Sequence, residues 1–333
     1  LKQIVNLFST RVMVLCYHRI ASEDVDPWDL AVSRENFELQ LRVLTKKFPV
    51  IDVKEIYNYI HKRKSTRAVC ITFDDGYTDN FIHARPLLEK YNVPACFFIT
   101  SGYISSQKLF WWDELTCIFF KTQTLPPAIS IKIGEKYFEF DNSDGVTLSE
   151  EQKNNLKNWR AKSGAPNSRC AIYLNLWQIL KSRTPEEIKQ VMDQLRQWSE
   201  FEVNENYSDM LPMDEHQLIH FADNPLFTIG LHTTNHLALG MHPLNLQEKE
   251  IITNQRQLEG SLKKEVNILS FPYGSYNTDT MQIVKQNNLA ACFNSKKKVI
   301  TRKTDRYNIG RFRVPDWSDK VFEKKLDKWF SRN

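Results

Sequence analysis

At 333 residues, 41% hydrophobic and 26% charged, the chain has the composition of a soluble globular protein, one large α/β domain or two smaller ones, which excludes disorder. The formal net charge of +5 comes from short runs, "HKRK" at 61–64, "KKK" at 296–298 and a Lys-rich end, that read as solvated surface and give no ground for nucleic-acid binding. The six cysteines, Cys16, Cys70, Cys96, Cys117, Cys170 and Cys292, form no CxxC pair, so buried free thiols are expected, with neither a disulfide framework nor a cysteine metal site.

In chain order, "RVMVLCYH" (11–18) is short, apolar and Val-rich, which predicts a buried strand, and Ser33 caps a periodic helix through "RENFELQLRVLTKKF". A helix follows within 52–62, then a strand "AVCITF" (68–73), a helix over about 79–91 and a strand "ACFFIT" (95–100). Runs this apolar are covered on both faces, as in parallel sheets with helical crossovers. After Gly102 the rhythm breaks: "LFWWDELTCIFF" reads as helix, 129–140 as a small hairpin and 185–198 as helix, so 103–224 is expected to be a mostly helical insertion within a single domain over 1–333. Alternation resumes with "FTIGLH" (227–232), a helix over 245–264, "VNILSFP" (266–272), a helix near 278–288, "AACFN" (290–294) and "NIGRFRV" (308–314). About seven parallel strands suit a distorted (β/α) barrel related to the TIM barrel, the alternative being an open doubly wound sheet.

The residues before Arg11 and the run after it are too short for a membrane span, and no small-residue cleavage site follows. With the reduced thiols, this predicts a cytoplasmic or membrane-peripheral protein, contact with a membrane surface being left open by its basic face. A chain that starts at Leu leaves a removed leader open too.

In such folds the C-terminal ends of the strands form the active face. Four ends are polar here: Tyr17-His18, Asp74-Asp75-Gly76, "HTTNH" (232–236) and "SFPYG" (270–274). His232 and His236 are four apart, which on a helical turn puts two imidazoles on one side, about 5–6 Å between Cβ atoms. Asp75 supplies a third ligand, and a two-His, one-carboxylate set leaves positions open for water and substrate. The cation would compensate two adjacent carboxylates that otherwise repel, leaving Asp74 as a general base, while Gly76 permits the turn that lets both side chains reach one pocket. A strand-end turn with a helix cap is the plainer reading of "DDG" alone.

"TFDDG", "HTTNH" and "FPYG" together resemble the polysaccharide deacetylase family, the NodB-homology or chitin-deacetylase-like carbohydrate esterases, over roughly 11–100 and 225–317. "VLCYHRI" and "FWWDEL" resemble segments of bacterial members tied to surface polysaccharides. The resemblance implies a divalent metal, Zn²⁺ first, with Co²⁺, Ni²⁺ and Fe²⁺ also suited, and removal of N-acetyl groups from N-acetylhexosamine units of a surface glycan or its precursor. It implies Asp74 as base on a metal-bound water, Asp75, His232 and His236 as ligands, and Tyr273, after Pro272, as an oxyanion donor through its backbone N–H.

Two departures stand out. No histidine follows His242, so the C-terminal Leu-x-His acid is missing, and Ser270 occupies the place of the arginine that pairs with the base. His18 is the first candidate for the acid, against a satisfied core histidine, and Asp113 the second. Trp112 beside it could stack on a sugar ring, although a helix core is the plainer role. "RFRVPDW" offers Arg311, Arg313 or Asp316 to the pocket, with Arg313 taken as the replacement arginine and a substrate contact. The missing groups also motivate a second hypothesis, a carbohydrate-binding pseudo-deacetylase without turnover.

Overall fold

A computed structural model describes residues 10–61 and 66–332. The first residues, the part of the basic run beyond His61 and the end of the helix expected over 52–62 lie outside them. Compactness divides the chain into two units, Glu23–Asp29 with Gln107–Leu211, and the remainder. The sequence suggested an insertion over 103–224; residues 103–106 and 212–224 fall in the first unit, and the short segment 23–29 joins the second.

In the first unit, strand β1 (Arg11–Tyr17) is followed by a small parallel pair, β2 (Arg19–Ile20) and β3 (Ala31–Val32), then helices α1 (Arg34–Lys47) and α2 (Ile56–Ile60), strand β4 (Arg67–Phe73), helix α3 (Arg85–Lys90) and strand β5 (Ala95–Ile99). In the second unit come α4 (Trp111–Lys121), a hairpin of β6 (Ala128–Ile133) and β7 (Lys136–Asp141), α5 (Glu150–Asn158), α6 (Ser168–Leu180) and α7 (Pro185–Ser199). The first unit resumes with α8 (Glu215–Asp223), β8 (Phe227–Leu231), α9 (Leu244–Leu262), β9 (Ile268–Ser270), α10 (Thr278–Gln286), β10 (Ala291–Phe293), β11 (Phe312–Arg313) and α11 (Asp319–Arg332).

Seven strands form one all-parallel sheet in the order β10-β9-β8-β5-β4-β1-β11. From β1 to β10 the spatial order is the chain order, the winding of a barrel; a doubly wound sheet reverses direction at a switch point. The last strand returns beside the first, and Ile309, just before it, bridges Phe293 of β10 in parallel. The sheet is therefore a curled (β/α) barrel whose seam is irregular chain. The strand expected over 308–314 shrinks to Phe312–Arg313 for that reason.

Side-chain alternation splits the apolar residues into two cores. Val12, Val14, Ala68, Cys70, Cys96, Phe98 and Ile268 belong to one, while Met13, Leu15, Val69, Ile71, Phe97 and Leu269 pack with the helices in the other. Gly230 leaves room for Phe98, since a Cβ there would come within 2.5 Å of its ring. The Lys-rich end is more than solvated surface: α11 buries Phe322, Leu326 and Phe330 and keeps its lysines outside.

The second unit turns on Arg169. This 1% exposed guanidinium of α6 spends its N–H groups on backbone carbonyls of Gly145, Phe119, Thr122, Gln123 and Val146, several at the C-terminal end of α4, where the helix dipole favours a cation. Arg169→Met leaves those buried carbonyls unmet and is expected to destabilise the unit by about 3 kcal/mol. Six of the eight tryptophans, Trp28, Trp111, Trp112, Trp159, Trp177 and Trp198, lie in this unit, so urea unfolding followed by tryptophan emission reads the change; a shift under about 1 kcal/mol would show that the carbonyls find other partners.

Candidate functional site

Alternation delivers the first side chains. On β1 the inner face runs Val12, Val14, Cys16, and His18 continues it just past the strand; on β4 it runs Ala68, Cys70, Thr72 and then Asp74. Asp75 should point the other way. Its φ of 76°, followed by 93° at Gly76, turns the chain back, so both carboxylates face one pocket. A Cβ on Gly76 would sit 3.0 Å from Ile99 Cδ1 and would resist this φ, so glycine is required on both counts.

Asp75 Oδ1 lies 3.3 Å from His232 Nε2 and 3.3 Å from His236 Nε2, with all three residues at most 8% exposed. Donors about 2.0–2.1 Å from one ion in a tetrahedron stand about 3.3 Å apart, so this triangle fits a Zn²⁺-sized cation. Two further observations favour that fit. Asp75 Oδ1 is buried and accepts no hydrogen bond. His232 Nδ1–H donates to the Ser270 carbonyl at 2.8 Å, which turns the lone pair of Nε2 toward Asp75. Burial pushes His236 down to about 3, against the pull of Asp75, so its ring is neutral and able to ligate at pH 7. The histidine pair does not stand on a helical turn, as its spacing suggested. It is carried by an irregular loop with Thr233 (φ 64°) and His236 (φ 57°) in left-handed conformations, the ring centroids 4.9 Å apart.

Asp74 is compensated differently. Arg311 grips it with two parallel bonds, Nη1 to Oδ1 and Nη2 to Oδ2, both 2.6 Å, and also reaches Thr72 Oγ1 (3.1 Å) and Ser270 Oγ (2.7 Å). Burial pushes the Asp74 carboxyl up, but the guanidinium more than offsets this and holds it below the usual carboxylate range. Pairing with Asp74 therefore belongs to Arg311, and the expectation for Arg313 is corrected: Arg313 is exposed, its charge felt by His18 and Cys16. The geometry explains the exchange. Ser270 is too short to reach as an arginine would, and its hydroxyl receives the guanidinium arriving from the neighbourhood of β11.

His18 is half-buried, with a ring nitrogen, the Cys16 thiol and an Asp74 oxygen within 4.8 Å of one another. Its Nδ1 is buried without a hydrogen-bond partner, and burial lowers its pKa while Asp75 and Asp74 oppose the shift. The tail of the "DDGYTDN" stretch fixes it: Asn80 Nδ2 donates to the His18 carbonyl (2.8 Å), and Asp79 accepts Arg19 Nε (2.8 Å) and the Ile20 N–H (3.2 Å). Tyr273 has a φ of 57° in a turn that starts at buried Pro272 and is closed by Gly274 N–H to Phe271 O (2.8 Å); its ring meets that of His236 edge-on at 4.5 Å. Trp112 and Asp113 belong to the second unit, both buried in α4, Trp112 stacked on Phe110 at 4.6 Å. Sequence reading offered Arg311 to the pocket but not as the partner of Asp74, and it missed the residues that hold the site, Asp79 and Asn80 behind His18 and the buried polar face of α9.

Comparison with known proteins places the chain among polysaccharide deacetylases and their fold. A family model described as polysaccharide deacetylase matches residues 61–123 and 191–292. The chain is 24% identical over 303 residues, 90% of its length and 72% of the relative's, to the poly-beta-1,6-N-acetyl-D-glucosamine N-deacetylase of Staphylococcus aureus (strain MRSA252). It is 35% identical over 92 residues to YxkH of Bacillus subtilis (strain 168), a provisionally named polysaccharide deacetylase; the match spans 27% of this chain and 32% of that relative. The Streptococcus pyogenes deacetylase PplD, solved in complex with acetate, shares the fold with a TM-score of 0.54 at 16% identity, covering 95% of this chain and 98% of that one.

The depressed pKa of Asp74 means that its ionised form stabilises the fold above the ordinary carboxylate range, a contribution lost as pH falls toward the folded value. Arg311→Met reverses the sign, because burial alone then raises Asp74. The variant is expected to lose about 3–5 kcal/mol at pH 7 and to recover part of it at pH 5, as Asp74 takes up a proton. Urea unfolding of chelator-treated protein at the two pH values measures this, and equal losses at both would mean that Arg311 balances some other group.

Proposed function

We propose, because this chain belongs to the polysaccharide deacetylase family, that it is a metal-dependent hydrolase that removes N-acetyl groups from N-acetylhexosamine units of a surface polysaccharide or its precursor. The observation that carries the reading is an arginine-clamped carboxylate standing directly beside a two-histidine, one-carboxylate triangle of ligand spacing. Asp75, His232 and His236 would hold the ion, Zn²⁺ first and Co²⁺, Ni²⁺ or Fe²⁺ as other fitting ions. When bound, the ion supplies Lewis-acid polarisation of the acetyl carbonyl and of water.

The remaining roles fall to the chain itself. Asp74 accepts the proton of the attacking water, and Arg311 keeps its carboxylate ionised and aimed. The Tyr273 backbone N–H, presented by the left-handed turn after Pro272, donates to the developing oxyanion. His18, neutral at rest, takes up the proton that Asp74 receives from the water and passes it to the leaving amine, the part that the resemblance gives to a C-terminal histidine. Arg313, exposed and near enough to act on His18, is a substrate contact. For Trp112 and Asp113 we favour the core role that their burial gives them in the second unit. All six cysteines are buried and unbridged, which supports a cytoplasmic or membrane-peripheral setting, and no helix of the described residues is long and apolar enough to cross a membrane.

The test is acetate release from N-acetylglucosamine oligomers by Zn²⁺-loaded protein. Asp74→Asn and His18→Gln are each expected to lower the rate by roughly 10²–10⁴-fold with the metal retained, and chelation to abolish it. The absence of any histidine after His242 keeps one rival in view: wild-type protein that binds metal and glycan yet releases no acetate is a binding module. Turnover that survives Asp74→Asn would remove Asp74 from the role of base.

A further inference from the structure

Helix α9 buries three polar side chains on one face, Gln247, Glu250 and Asn254, exposed by 0%, 3% and 0%. Polar groups buried this deeply are destabilising unless their donors and acceptors are met. Gln247 binds the His242 carbonyl (2.7 Å) and the cap of α10. The other two serve the chain that carries the histidines. Asn254 Oδ1 accepts the His232 N–H (3.0 Å), while its Nδ2 donates to Ile99 O (3.1 Å) and Ser101 Oγ (2.7 Å), joining the ends of β5 and β8.

Glu250 reaches further into the loop. Its Oε2 accepts the Asn235 N–H (2.8 Å) and its Oε1 the Asn235 side-chain amide (2.7 Å). The Thr233 hydroxyl accepts the Leu237 N–H (3.1 Å). The Glu250 backbone carbonyl takes both the N–H and the hydroxyl of Thr234, each at 3.1 Å. Two of the three residues between His232 and His236, Thr234 and Asn235, are thus bonded to Glu250.

We propose that Glu250 is a positioning residue of the metal centre: it holds the loop Thr233–Asn235 so that the Nε2 atoms of His232 and His236 meet Asp75 Oδ1 at ligand spacing. The inference rests on the metal-binding reading above and extends it to a residue that touches no ligand atom. A carboxylate suits the task because it offers two acceptor oxygens and no donor to a loop that presents two donors, the backbone and side-chain amides of Asn235. Glutamine keeps one acceptor, and the Asn235 amide can turn to face its nitrogen. Alanine leaves the Asn235 N–H unmet, and only the backbone carbonyl at 250 and Asn254 then tie the loop to α9 against relaxation of the left-handed residues Thr233 and His236.

Co²⁺ titration of the chelator-stripped protein, by competition with a chromophoric chelator and by the d–d absorption of the bound ion, reads the effect without turnover. Glu250→Ala is expected to weaken Co²⁺ roughly 10–100-fold and to change the d–d band, whereas Glu250→Gln returns to within about threefold of wild type. A merely structural role would lower the melting temperature of the metal-free protein and leave the affinity and spectrum of the folded protein unchanged. Folded Glu250→Ala with wild-type affinity and spectrum therefore overturns the proposal. If that variant does not fold, Asn235→Ala, which removes one donor, decides: affinity weakened at least about threefold supports the proposal and unchanged affinity overturns it. Wild-type protein that takes up no Co²⁺ sinks the metal reading and this inference together, while normal wild-type binding with unaltered variants sinks this inference alone.

Discussion

Asp74 and Asp75 are two carboxylates next to each other in sequence and buried together, an arrangement that costs several kcal/mol per ion unless each charge is compensated. The protein compensates them by different means. Asp74 receives a guanidinium in fixed two-point contact, which makes it a permanent anion of set orientation. Asp75 receives no such donor; it faces two imidazole nitrogens and keeps one oxygen without a hydrogen bond. The asymmetry separates the two: Asp74 is held ionised and aimed, while Asp75 keeps one oxygen without a hydrogen bond between two imidazoles.

That arrangement depends on the barrel's periodicity and on its interruption. Alternation along β1 and β4 places Cys16, His18, Thr72 and Asp74 on the inner face without any special device. Several of the other groups come from backbone bent out of ordinary conformations, with positive φ at Asp75, Thr233, His236 and Tyr273. Such residues cost about 1–3 kcal/mol each and persist only where the surroundings fix them. The surroundings here are buried polar side chains, Asn80 behind His18, Asn254 and Glu250 behind the histidine loop, which serve the site at the expense of an apolar core.

Most of the fold was legible because its signal is local. Seven apolar runs separated by periodic helices predicted seven parallel strands, and the grouping of Asp75 with His232 and His236 was readable because DDG and HTTNH are contiguous in sequence. Much of the second unit was less legible: helices such as α5 and α6 carry mixed polarity with no clear period, and the buried Arg169 that organises them looks in sequence like any surface arginine. The loop conformation at His232 was misread because i, i+4 spacing is shared by a helical turn and by a left-handed loop. Glu250 and Asn254 were invisible because a polar residue on an amphipathic helix is assigned to solvent unless its partners are known.

The displaced arginine shows why sequence motifs reach only part of such a site. Asp74 requires a guanidinium at bonding distance, but not one from a particular strand. Because the barrel returns β11 to the side of β1, the chain's last strand region lies as close to Asp74 as β9 does, and Arg311 can arrive from there while Ser270 makes room on β9. The same return puts His18, from the start of the sequence, beside a carboxylate whose partner comes from near its end. A motif records which segment delivers a group, whereas the pocket constrains only which charge and which hydrogen bonds arrive. In a closed ring of strands several segments can make the same delivery, so losing a motif residue implies lost chemistry only when no neighbouring strand end supplies an equivalent group.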